Sequence, residues 1–96
     1  MSQSQAVVAT VNGARYLQQL CKHWSHKFEV AFDAAEGRID LGEERICQLS
    51  ASDEALTVTA TAPEETLPRF QEIIAAHILR FAHREPELAF DWKPVA

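Results

Sequence analysis

Glycine is scarce in this sequence, three residues in 96 and none beside another, so no glycine-rich loop is available to cradle a phosphate group. Cysteine is limited to Cys21 and Cys47, too few for a disulfide scaffold and at no recognised metal-ligand spacing; in a reducing compartment both read as free buried thiols. No apolar run approaches the roughly 18 residues of a membrane-spanning helix, and no membrane partner is expected. The opening Met1-Ser2-Gln3-Ser4-Gln5 has no basic residue and precedes only a short apolar run, which is not signal-peptide patterning, so a cytoplasmic location is expected. Cations are outnumbered, nine Lys and Arg against fourteen Asp and Glu. The resulting charge of −5 disfavours nucleic acid, whose non-specific affinity comes from phosphate neutralisation. No nucleophile–base pair or carboxylate pair stands out, and Ser25 beside His26 is not a dyad. An enzyme has nothing in the sequence to support it.

What is present is concentrated between Tyr16 and Phe28. Leu17, Leu20, Cys21, Trp24 and Phe28 recur at the spacing of one helix face, and Asn12 stands where an N-cap belongs, so a helix is predicted over 13–28. Tyr16, His23 and Lys27 share a flank of that face, with His26 further round. Arg15, Lys22 and Lys27 make this stretch a basic island, since it holds no carboxylate. Such an island suits an anionic ligand or an acidic partner surface, or is simply solvated.

The remaining pattern is mostly strand. Ala6 to Val11 is a β-branched run; Phe28, Val30 and Phe32 alternate with polar neighbours; Ile39 and Leu41, then Cys47 and Leu49, then Leu56, Val58 and Ala60 mark three more strands separated by turn residues. Ile46 fits its strand badly: in this register it points outward, which marks either a shifted register or an apolar spot on the open face of the sheet. A second helix begins near a capping box at Thr61–Glu64 or, because Pro68 does not suit a helix interior, with Thr66 as cap; it runs to about His83. Leu88, Phe90 and Trp92 predict a last strand. The order β-α-β-β-β-β-α-β implies an α+β two-layer sandwich, an antiparallel sheet with both helices on one face. Its open face is lined by Glu29, Arg38, Asp40, Gln48, Thr57 and Thr59. One domain over residues 1–96 is expected, with 1–5 disordered.

Two groups carry candidate chemistry. His23 and His26, at i and i+3, can offer two imidazoles to a transition metal such as zinc, copper or iron, with His77 or one of the thiols Cys21 and Cys47 completing the set; alternatively they hydrogen-bond locally and the thiols pack as small hydrophobes. His77 sits within an apolar helical face near Arg80 and Arg84. It either bonds a backbone carbonyl or Tyr16, or converges with Arg80 and Arg84 on a ligand between the helices. If the chain has a metal or ligand site, it belongs where the helices meet, built from His23, His26 and His77 with Tyr16 or Cys47 in support.

Tyr16-Leu-x-x-Leu-Cys21-x-His23-Trp24-x-His26-Lys27-Phe28, Gly37-x-Ile39-x-Leu41, Cys47-x-Leu49, His77-Ile-Leu-Arg80-Phe81-Ala-x-Arg84-Glu85 and Phe90-x-Trp92 together resemble the bacterial domain-of-unknown-function family 2218. The resemblance spans nearly the whole chain. It implies a small domain with a fold like the half-repeat of the TATA-binding protein, a tendency to be encoded near iron and siderophore uptake functions, and a siderophore-processing protein as partner. It implies no catalytic residues, and the namesake's nucleic-acid role does not follow from fold. The function expected is a non-enzymatic accessory or binding domain in iron or siderophore metabolism. The alternatives are an interaction module acting as a homodimer and a histidine-based metal-binding protein.

Overall fold

The structure is a computed structural model, described here for residues 1–95. Its elements are β1 (Ser2–Ala9), α1 (Gly13–Trp24), β2 (Glu29–Phe32), β3 (Glu36–Gly42), β4 (Arg45–Ala51), β5 (Ala55–Ala62), α2 (Leu67–Phe81) and β6 (Lys93–Pro94). The strands form one sheet in the order β2-β3-β4-β5-β1-β6, every neighbouring pair antiparallel. Because β1 lies near one edge and β2 at the other, α1 must carry the chain across the sheet, and it packs against β2, β3, β4 and β5 on the way. α2 covers β5 and β1 and lies against α1. The fold is thus α+β with both helices on one face.

Strand alternation decides which side chains meet those helices. Ala6 and Val8, Ile39 and Leu41, Cys47 and Leu49, and Leu56, Val58, Ala60 and Ala62 are buried beneath Leu17, Leu20, Cys21 and Trp24 of α1 and Phe70, Ile74 and Ile78 of α2. Each large aliphatic or aromatic side chain buried here contributes about 1.5–3 kcal/mol relative to exposure. The opposite face carries the cross-strand row Ala31, Arg38, Gln48, Thr59 and Gln5, as the alternation requires. Ile46, opposite Asp40 and Thr61, does lie on that face.

Several boundaries differ from the sequence expectation, each for a physical reason. β1 begins at Ser2, so the segment 1–5 is not disordered: Ser2 to Ala9 pair with Ala62 to Ala55 along the whole length of β5. α1 stops at Trp24, not Phe28; the amides of Lys27 and Phe28 both donate to the Trp24 carbonyl and turn the chain into β2. Asn12 is the N-cap residue, but its side chain makes no cap bond and instead donates through Nδ2 to Glu85. No capping box forms at Thr61, which is a β5 residue opposite Gln3; α2 starts after Thr66 with Pro68 in the first turn, where a missing amide hydrogen is harmless. The last strand is not Leu88–Trp92. Leu88, Phe90 and Trp92 pack against the core as irregular chain, and only Lys93 and Pro94 reach β1, opposite Gln5 and Ser4.

Candidate functional site at the seam between the helices

α1 and α2 run antiparallel where they touch, with Tyr16 next to Glu85 at one end and His23 and Trp24 next to His77 at the other. The ring of His77 stands 4.9 Å from that of Trp24 and 5.5 Å from that of His23, and Phe81 closes the group at 5.9 Å from His23. Trp24 is buried, His77 half-buried and His23 exposed, so the cluster grades from core to solvent.

His77 Nδ1 lies 2.8 Å from the Ile73 carbonyl oxygen, one helical turn back. A carbonyl only accepts, so Nδ1 carries the hydrogen and, in the neutral ring, Nε2 keeps its lone pair. This fixes the tautomer and leaves one nitrogen free, the arrangement in which a backbone carbonyl orients a histidine metal ligand. Two imidazoles that share one ion at about 2.1 Å per nitrogen stand roughly 5–6 Å apart between ring centres, which matches the His23–His77 spacing.

The fuller metal set is not assembled. Among the described residues no three His, Cys, Asp or Glu side chains gather as an ion would need. Cys47 is fully buried on β4, between Ile39 and Ala60, and sits with Cys21 in the core, so it does not reach the histidines. His26 lies in the exposed turn that ends α1, because the helix that would have placed it one turn beyond His23 stops at Trp24. Lys27 is exposed in the same turn. Arg80, in the last turn of α2, and Arg84, beyond it, are exposed, and the two ion pairs among the described residues, Arg69–Glu72 and Lys93–Asp91, involve neither.

Tyr16 also leaves the expected set. Its hydroxyl donates to Glu85, a residue that the sequence named only within the family blocks and gave no role. The Glu85 carboxylate also accepts from Thr10 Oγ1, at 3.0 and 3.1 Å to its two oxygens, and from Asn12 Nδ2 at 2.8 Å. Burial, then the bond to and charge of Glu85, push the Tyr16 hydroxyl above its ordinary value; the bonds from Tyr16 and Asn12 hold the Glu85 carboxyl below its own. The contact joins residues 69 apart in the chain, and no local pattern announces it.

The nucleophile candidates are disposed against reaction. Burial pushes the Cys21 thiol up to about 11 and raises Cys47 as well, while the Ser25 hydroxyl donates to the Lys22 carbonyl at 2.8 Å. A broad depression of about 690 Å³ lies over the open face, away from the histidines. Arg38 and Gln48 border it, and Gln5 Nε2 is already donating to Thr59 Oγ1 at 3.0 Å.

The two-layer fold and the blocks around its helices define a small bacterial domain type. Residues 5–93 match the family model described as an uncharacterised protein conserved in bacteria, DUF2218, and the chain belongs to that family. It is similar to PA4090 from Pseudomonas aeruginosa, whose NMR structure superposes with a TM-score of 0.80 at 38% identity, covering 98% of this chain and 97% of that one. No curated protein matches it.

Proposed function

We propose that this chain is a non-enzymatic accessory domain of bacterial iron or siderophore metabolism, with its binding seat at the α1–α2 seam. The observation that carries the reading is the His23–His77 pair, 5.5 Å apart with the His77 tautomer set by Ile73. Two neutral imidazoles suit Fe²⁺ or Zn²⁺ and leave the other coordination positions open. An ion held by two protein donors can be exchanged with a second chelator, which fits an accessory beside a siderophore-processing protein better than permanent storage.

Calorimetric titration of Fe²⁺ and Zn²⁺ into tag-free protein tests the seat. Stoichiometric binding that is lost in both His23→Ala and His77→Ala supports it; binding unchanged without His77 refutes it. Deleting the gene tests the setting, because unaltered growth under iron limitation removes the role in iron metabolism.

A homodimer is the second reading. It is favoured by β2, whose outer edge is unpaired in the sheet and whose Phe32 is 39% exposed. Light scattering over a dilution series decides it, since a monomer at every concentration excludes the dimer.

A further inference from the structure

The charges of this acidic chain are segregated in space. Residues 13–28 and 73–84 contain no carboxylate, while the rest of the chain holds all fourteen. Those two stretches are the ones that lie side by side, since Trp24 meets His77 at one end and Tyr16 bonds Glu85 at the other. They bring together Arg15, Lys22, Lys27, Arg80 and Arg84, five of the nine Lys and Arg, and all four histidines. Each of the five cations is exposed. Arg15, Gln19 and Lys22 recur at i, i+4 and i+7 on the side of α1 away from the sheet, and Arg80 is exposed in the last turn of α2. Neither ion pair among the described residues uses any of them.

We infer that this outer helix face docks an acidic segment of a partner protein. Charge complementarity identifies the occupant, and the charge elsewhere limits its size. The remainder of the chain has four cations against fourteen carboxylates, so a long polyanion or an extended anionic membrane meets repulsion wherever it reaches past the helix layer. A short run of Asp and Glu contacts the cations alone. Desolvation is modest, because all five cations are already at the surface, and the contact steers encounter more than it stores energy.

The inference does not rest on the metal seat, and the test separates them. A fluorescein-labelled decapeptide of alternating Glu and Asp is titrated into the full chain at about 50 mM salt, where the Debye length still exceeds 10 Å. Saturable micromolar binding is expected, weakening about tenfold by roughly 200 mM salt. On metal-free protein, where the histidine seat is empty, Lys22→Glu and Arg80→Glu should each weaken it about fivefold or more, while Arg38→Glu on the opposite face leaves it within about twofold. Circular dichroism confirms that the exposed substitutions keep the fold. Absence of saturable binding, equal weakening by Arg38→Glu, or tighter binding of a single-stranded oligonucleotide or of phosphatidylserine vesicles overturns the inference.

Discussion

The hydroxyl of Tyr16 on α1 donates to the carboxylate of Glu85, which also receives Thr10 and Asn12, so one side chain just past α2 fastens the β1–α1 connection. Glu85 is half-buried and Tyr16 buried. Beyond it Leu88, Phe90 and Trp92 pack against the core and β6 pairs with β1.

The latch has a pH signature with opposite signs at its two ends. The Glu85 carboxyl lies below its ordinary 4.5 in the folded chain, so its contribution is complete above that value and is lost as pH falls through the folded one. The Tyr16 hydroxyl lies above its ordinary 10.0, so its contribution is complete below pH 10 and is lost as pH rises through the folded value. Urea unfolding across pH should show both losses. Tyr16→Phe should cost about 1 kcal/mol at neutral pH and remove the alkaline loss, and Glu85→Gln should remove part of the acid one.

Glu43 and Glu44 form the two-residue turn between β3 and β4 with φ of 57° and 66°, the left-handed region, after Gly42 at 78°. Both central residues of such a turn favour Asn or Gly, and a glutamate there costs about 1–2 kcal/mol. Glu43→Asn with Glu44→Gly should therefore stabilise the fold by about 1–2 kcal/mol per position, read as a higher denaturation midpoint, while leaving metal and peptide binding unaltered.

Gly37 on β3 faces α1 so closely that an added Cβ would lie 2.7 Å from Cys21 Sγ. Gly37→Ala should destabilise the fold by about 1–3 kcal/mol through overpacking. Combining it with Cys21→Ala should recover most of that loss, and a double-mutant cycle measures the coupling. If the two losses simply add, the contact does not constrain the core.

Periodic features were legible from sequence because strand and helix spacing determines which side faces the core. This holds for the open face, while outward Ile46 and a start of α2 after Thr66 were each one of two readings that the pattern allowed. His77 bonding a backbone carbonyl was one of two readings that its apolar surroundings allowed, and Ile73 provides that carbonyl. Glu85 was not legible, since its partners are 69 to 75 residues away and local propensity carries no record of them. Nor was the two-residue β6, whose position follows from β1 leaving an edge rather than from any pattern in Leu88–Trp92. The metal set failed at Cys47 for a simpler reason: a thiol on the core side of a central strand has no route to a surface imidazole.

The most direct test of the seam is the ring nitrogen spectrum of ¹⁵N-labelled protein during zinc titration. Before zinc, His77 should show a protonated Nδ1, as its bond to Ile73 requires, and in the neutral ring Nε2 is then the nitrogen without a hydrogen. One equivalent of zinc should then move the signals of His23 and His77 together, leaving His26 and His83 in place. Unmoved signals at His23 and His77, or equal shifts at all four histidines, would contradict a seat between the helices.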